Sequence, residues 1–528
     1  MYISDIKDSA VKAKKIIQKF EKLKSDRVNW DSYWEELAKY VLPRKDEVYG
    51  MVTAGEKKGH NLYDSTSIHA NELLASALHS MLTNPSSVWF GLSTGEKEVD
   101  QIKEVRQFLQ NSVLKMIKVF NQSNFQTEIH ETYLDLGSAG TTSLRIEEDE
   151  ETVVRFFASS IYEVFIEENS KGVVDTVYRE YEYTLRQIVQ EFGEDILPLE
   201  LQQQYQKDAT VKCKVIHAIE PKELNSDIFA SYHVLKDKPV LLKEGKFNEK
   251  PYAIPRWTKI TGEKYGRSPA MKSLPDIKML NSMMKTMIRA AQKAADPPLM
   301  IPDNGFLLPV RTQPGGSNIY RAGSKDRIEP LITGGRIDIN TEMVEQSRQR
   351  IRSAFFIDQL QLQQGPQMTA TEVMQRTEEN LRMMGPILGR LNNELLKPII
   401  DRVFGIMFRK GLFGEIPKEL KGKELEVRYV SQISKAQRSG EADTFTRVIQ
   451  SVAPIIEMQP QMMENINGDE VLRYHAEVFG LPEEMLRGRQ EVEQARQQAA
   501  DQQASQMQSQ QDNVDADTAQ KLSNAEQI

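Results

Sequence analysis

Between residues 338 and 412 apolar side chains return every three or four positions, on both sides of a short polar gap. That is the period of helices with one buried face. The first run predicts a helix over 341–357. The gap, 358–368, is rich in glutamine and broken by Gly365-Pro366. The second run opens at Thr369, where Thr369-Ala370-Thr371-Glu372 has the form of a capping box. Its stripe is Met384, Leu388, Leu391, Leu395, Ile399, Val403 and Met407. Arg409 and Lys410 suit the negative end of the helix dipole, and Gly411 suits a stop. Unbroken, such a helix would reach roughly 60 Å. Gly385, Pro386 and Pro398 lie inside it and predict kinks. A helix this long exceeds what a compact enzyme domain needs and points to an elongated subunit or an assembly.

The rest of the chain reads in the same way. Residues 4–42 carry helical stripes that end at Pro43. Residues 44–61 are polar loop. A second helix follows, capped by Asp64 or Ser65, and stops at Asn84-Pro85. Residues 88–92 suggest a strand, 98–122 an amphipathic helix, and 124–136 a helix ending at Gly137. Then the period changes to two: 143–146, 153–157, 162–166 and 173–178 predict strands. Helix returns over 184–206, with Pro198 in its middle, and strands resume at 212–219, 228–235, 240–243 and 252–258. Tyr265-Gly266-Arg267-Ser268-Pro269 opens a further helix, with Ser268 as cap and Pro269 in the first turn. Ile277, Leu280, Met284, Met287, Ala291 and Ala295 mark one of its faces, and Lys278, Lys285, Arg289 and Lys293 another. Asp296-Pro297-Pro298 ends it. Short apolar runs split by Gly and Pro over 299–336 predict a small β insertion between two helices. A strand over 424–430 leads into helices over 440–480. Residues 489–528 are rich in Gln, Ala and Asp, with almost no large apolar side chains. The class is α+β, predominantly helical.

Composition adds constraints. At 528 residues and 39% hydrophobic, the chain can bury several cores. Its net charge of -8 argues against a surface that grips nucleic acid everywhere, though not against a conduit that lets it slide. With one cysteine, Cys213, there is no disulfide framework, and a reducing compartment suffices. The start shows no signal-peptide pattern, and no apolar run suits a membrane span.

Chemical motifs are sparse. Gly55-Glu56-Lys57-Lys58-Gly59 has the wrong spacing for a phosphate loop, and there is no GxGxxG, HExxH or GxSxG. The histidines show no metal-ligand spacing, and the acidic run 147–151 suits a hairpin tip. No cofactor is expected. The basic stripe Lys278, Lys285, Arg289 and Lys293 reads first as a solvated helix face, and otherwise as a subunit contact or a phosphate-facing surface. The methionines of the central helices read as core or as an adaptable interface. The loop from Gln359 to Met368 has no charge after Asp358.

Three stretches carry a resemblance: Tyr265-Gly266-Arg267-Ser268-Pro269; Met368-Thr369-Ala370-Thr371-Glu372-Val373; and Leu391-Asn392-Asn393-Glu394-Leu395-Leu396-Lys397-Pro398. In this order and spacing the chain, up to about residue 485, resembles the portal proteins, or head-to-tail connectors, of short-tailed, podovirus-type bacteriophages. The resemblance implies an elongated, non-enzymatic subunit with wing, stem, clip and crown, assembling into a dodecameric ring at one capsid vertex. It implies a wing over 1–264, a first stem helix over 265–298, a clip over 299–336 and a second stem helix over 337–357. A tunnel loop would follow over 358–368, a long kinked helix and wing over 369–431, a crown over 432–485, and a tail or barrel over 486–528. The tunnel-loop residues Gln359, Leu360, Gln361, Leu362, Gln363, Gln364 and Gln367 would face DNA without a cationic grip. The partners it implies are double-stranded DNA in the channel, the terminase large subunit, a tail adaptor, and the major capsid and scaffolding proteins, with no membrane. The place it implies is the virion, after assembly in the host bacterial cytoplasm. Two other readings stay open: another ring-forming or internal core virion protein, and an enzyme without recognisable motifs.

Overall fold

A computed structural model gives the structure of residues 3–45, 58–59, 61–100, 102–223, 228–301, 309–312, 317–319, 323, 328–331, 337–360, 383–420, 422, 426–429, 445, 447–451, 467–479, 485, 492, 494–499 and 501–502. Helices α1 (Ile3–Asp26), α2 (Val28–Val41) and α3 (Thr66–Leu82) come first. Strand β1 (Phe90–Ser93) precedes α4 (Lys97–Asp100), α5 (Lys103–Gln122) and α6 (Phe125–Ala139). Next come β2 (Ser143–Asp149), β3 (Val153–Ser159), β4 (Val164–Glu168) and β5 (Val174–Thr184). After α7 (Leu185–Phe192) and α8 (Leu199–Lys207) the chain forms β6 (Lys212–Pro221), β7 (Phe229–Leu235), β8 (Val240–Phe247) and β9 (Tyr252–Ala253). The long α9 (Pro269–Ala295) leads to β10 (Leu299–Met300) and β11 (Glu329–Pro330). Then follow α10 (Ile337–Ala354), α11 (Ile357–Leu360), α12 (383–391), a π-turn (Asn392–Leu396) and α13 (Lys397–Arg409). Strand β12 (Glu426–Tyr429) and α14 (Gly468–Phe479) complete the described elements. The class is α+β with helix predominant.

The chain divides into two compact units, Met1–Trp89 with Leu114–Gly414, and Phe90–Val113 with Glu415–Ile528. In the first, β4-β5-β6-β7-β8 form an antiparallel sheet. Alternate residues serve its two faces. Ile216, Ala218 and Val234 meet Ala13, Ile16, Phe20 and Leu23 of α1. Val215, Leu235 and Cys213 meet Leu185, Ile188, Phe192 and Leu201 of α7 and α8. With both faces covered, the five residues of β6 from Val215 to Ile219 are all buried. A second sheet, β3-β2-β9, carries the aromatic cluster Phe120, Phe125 and Phe156 beside Trp89. In the second unit β1 pairs with β12, and Val105 and Leu109 pack on Leu420.

The structure corrects several boundaries. The helix expected over 4–42 breaks at Arg27, whose buried guanidinium donates to the carbonyls of Ile161, Val164 and Tyr162 at 2.9, 2.6 and 2.7 Å. Two helices replace the one expected over 184–206. The helix expected to stop at Gly137 continues to Gly140, which takes a φ of 77° as its left-handed cap. Gly137 instead serves a close approach: a Cβ there would stand 2.1 Å from Asn71 Oδ1. The second helix keeps its expected cap: it starts at Thr66, whose N–H donates to Asp64 Oδ1 at 2.9 Å, while Ser65 makes no side-chain cap. The helix expected to run to Ile357 ends at Ala354. The predicted opening of the long helix at Thr369 lies outside the described residues. From Met384 to Met407 all seven stripe residues are buried.

Candidate functional site

Helices α9 and α10 form a two-helix stalk. Ser268 caps α9: its Oγ accepts the Met271 N–H at 2.9 Å and donates to the Ser138 carbonyl at 2.7 Å. The first half of α9 buries Ala270, Met271, Leu274, Ile277 and Leu280. Over residues 281–301 none is buried. Helix α10 runs back antiparallel, because Arg350 meets Asp276 near the root at 3.5 Å while Leu299 pairs with Pro330 at the far end. Its buried positions Val344, Ser347 and Ile351 follow one face, and Phe355 just beyond its end is buried too. The tip leaves Leu299, Met300, Ile301, Ile319 and Leu331 exposed, and Met279, Ile288 and Met343 along the stalk are exposed too.

The root is clamped by polar contacts. Asn281 accepts the Tyr63 N–H at 2.7 Å and donates to the Asn61 carbonyl at 2.9 Å. Arg348 of α10 donates to Asp64 at 2.8 Å. Burial works to raise the Asp64 carboxyl, but the bonds from Thr66 and Arg348 hold it below its ordinary range.

The stretch from Tyr265 to Pro269 anchors α9 on the C-terminal end of α6. Tyr265 is buried against Trp34, with ring centroids 5.1 Å apart. Gly266 crosses Gly140 so closely that a Cβ on it would stand 2.5 Å from the Gly140 carbonyl. The Gly266 N–H donates to Thr141 Oγ1 at 2.7 Å. Only glycines allow this crossing.

Beside it, Arg256 joins the strands to the helix that follows the stalk. Its backbone N–H and Nε donate to Glu394 Oε2 at 3.0 and 3.1 Å, and its Nη1 donates to Glu168. Burial pulls the guanidinium down, but the bonds to Glu394 and Glu168 hold it above its ordinary value. Glu394 sits in the π-turn, where the Lys397 N–H bonds back to the Asn392 carbonyl. The cause is local: Pro398 has no N–H for the Glu394 carbonyl, and its ring would press on it, so a wider turn relieves the clash. Farther along α13, Gly405 leaves room for the Glu249 carboxylate, which Arg402 meets at 2.7 Å.

The expected site residues fall in separate places. Lys278 pairs with Glu36 at the root, and Lys285 stands over the Tyr63 ring at 5.4 Å. Arg289 and Lys293 are exposed on the outer half of α9. Gln359 and Leu360 lie in α11, where their N–H groups donate to the Phe356 carbonyl at 3.1 and 3.0 Å. Gln361, Leu362, Gln363, Gln364, Gln367 and the Gly365-Pro366 bend lie outside the described residues. Gly385 and Pro386 lie in α12, and Pro398 in the first turn of α13. Sequence reasoning missed Gly140, Arg256 and Phe356; their roles depend on contacts distant in sequence. Among the described residues no group of His, Cys, Asp and Glu could hold a metal ion. There too, no helix is long and apolar enough to cross a membrane.

Comparison with known proteins follows the same lines. A family model described as bacteriophage head to tail connecting protein matches residues 13–486. The chain is 30% identical over 530 residues to a probable portal protein of Bordetella phage BPP-1, covering 97% of this chain and 96% of that one. It is 28% identical over 515 residues to the portal protein of Salmonella phage epsilon15, covering 92% of each. Over 211 residues it is 22% identical to the portal protein of Enterobacteria phage T3, covering 40% of this chain and 39% of that one.

Proposed function

The chain belongs to the bacteriophage head-to-tail connecting protein family, and from that premise we propose that it closes into a dodecameric ring at one capsid vertex and forms a channel for double-stranded DNA. It is a structural part of a phage particle, not an enzyme. In this reading the ring is built in the host cytoplasm with major capsid and scaffolding proteins. The terminase large subunit docks on it to package DNA, and a tail adaptor replaces the terminase before ejection. The stalk α9–α10 is the stem, 299–336 the clip, 358–368 the tunnel loop and 432–485 the crown. The wing takes 1–264 and, with the kinked helix, 369–431; residues 486–528 are the Gln-rich tail or barrel.

One observation carries the reading. In a stalk of two long helices no residue from 281 to 301 is buried, and among the described residues of its tip Leu299, Met300, Ile301, Ile319 and Leu331 are exposed. Apolar surface of that kind marks an interface, and copies of the same chain around a closed axis can cover it. The net charge of -8 suits a conduit, since a phosphate-binding wall would hold back its cargo. Native mass spectrometry of the purified chain tests it. A closed oligomer of fixed copy number is expected, and monomer alone at every concentration and salt would overturn the reading. Replacing 299–336 by a short Gly/Ser link is expected to keep rings and abolish terminase docking. Shortening 359–367 is expected to keep rings while packaged DNA slips, a result best read from retained genome length.

A further inference from the structure

Two breaks in helical backbone converge on one dipeptide. After α10 ends, Phe356 takes a φ of 62°. A bulky residue in that region is strained. Packing holds it there: Phe355 and Ile357, on either side, are 0% and 3% exposed. The Phe356 ring stands 6.1 Å from the ring of Trp257, within the range of favourable aromatic pairs. The second break is the π-turn, whose Glu394 accepts from the backbone and the guanidinium of Arg256. The remaining donors of Arg256 go to Glu168 and to the carbonyls of Lys264 and Gly172. The dipeptide is itself held: the Trp257 N–H donates to the Gly140 carbonyl at 2.9 Å, and Arg256 bridges Thr141.

We propose that Arg256 and Trp257 are positioning residues that couple these two breaks, so that the backbone state of 354–360 and that of 392–396 are set together. The physical reason is short. Each break is a costly local conformation that persists only while tertiary contacts impose it. For both, a key contact ends on neighbouring residues joined by one rigid peptide plane. A shift of this pair that freed Phe356 would also draw the Arg256 N–H and guanidinium away from Glu394. A buried guanidinium and a partly buried carboxylate would then lose one another, which such a site resists. This coupling does not depend on ring formation and is measured on the soluble chain.

Hydrogen exchange read by mass spectrometry tests it, on Phe356→Leu, Phe356→Tyr, Glu394→Gln and the double variant Phe356→Leu/Glu394→Gln. Amides of β6 serve as the reference for global opening. Phe356→Leu removes the ring from Trp257 yet stays apolar. It is expected to speed exchange at Lys397, Ile399 and Ile400, relative to β6, by about 5-fold or more, the low end of coupling between sites. Glu394→Gln is expected to speed Gln359 and Leu360 by a similar factor. The double variant is expected to fall short of the product of the singles. Phe356→Tyr keeps the ring and is expected to match the parent. Should Glu394→Gln fail to fold, Arg256→Lys, which keeps a cation and loses the fork, carries the same comparison. Faster exchange confined to each variant's own break, with singles that multiply in the double, would overturn the proposal.

Discussion

At Gly266 the chain has no room for a methyl group. A Cβ would stand 2.5 Å from the Gly140 carbonyl and 2.8 Å from Arg256 Cβ, and neither can swing aside. Gly266→Ala is therefore expected to cost about 1–3 kcal/mol, the range of overpacking, while Ser268→Ala two residues on costs about 1 kcal/mol through the lost cap. Chemical denaturation of both variants checks the order. A second residue-scale expectation concerns pH. His217 and His233 stack at 4.0 Å across β6 and β7. Burial pushes His217 well below its ordinary value and His233 to about 3, and Lys243 and Arg145 act in the same direction. Arg179 adds to the effect on His217. The unfolded chain binds these protons near the ordinary value of about 6.5 and the folded chain does not, so stability is intact above that pH and falls as the pH drops below it. The loss is at most about 1.4 kcal/mol per pH unit for each ring. Asp401, raised to about 6 by burial, acts the other way: its contribution is present at low pH and fades as pH rises through that value. His233→Gln is thus expected to lose less stability between pH 7 and pH 5 than the parent; an equal loss would remove the histidines from the account. Neither feature was visible in the sequence, because Gly140, Gly266, His217 and His233 gain their meaning only when distant segments cross.

Among the elements, α1 shows how magnitude separates a visible pattern from a decisive one. It is tied to the five-stranded sheet by Lys12–Glu244, Lys19–Glu220 and Lys24–Glu180, and Lys236 reaches Glu21. The Lys12 and Lys19 side chains are more than half exposed, and such pairs contribute about 0–1 kcal/mol each. Phe20 is fully buried and stands 4.8 Å from the Phe165 ring. Phe20→Ala is expected to cost about 3–5 kcal/mol, and Lys19→Ala less than about 1 kcal/mol, with denaturant midpoints as the measure. The apolar stripe that holds α1 was legible for the same reason that it holds: its period matches the helix. The break at Arg27 was not, because both sides keep that period while the carbonyls that capture the guanidinium lie far along the chain, on residues 161–164 leading into β4. The π-turn escaped for a related reason. One extra residue per turn shifts a stripe by less than the tolerance of three-or-four spacing, so Leu391, Leu395 and Ile399 read alike with or without it.

For the whole molecule, two units and a stalk frame the function. Family membership was legible from three short stretches, and two of them now have physical roles. The stretch from Tyr265 to Pro269 forms the glycine crossing and the cap that seat α9. The stretch from Leu391 to Pro398 forms the turn that hands Glu394 to Arg256. The third, from Met368 to Val373, lies outside the described residues. The central claim is that α9 and α10 wall an axial channel in a closed ring. Cryo-electron microscopy of the purified assembly tests it most directly. The account predicts a ring whose channel is lined by α9–α10 stalks from every copy, with Met279, Ile288 and Met343 covered by neighbouring subunits. A closed ring in which these helices face outward, with those side chains still in solvent, would contradict it.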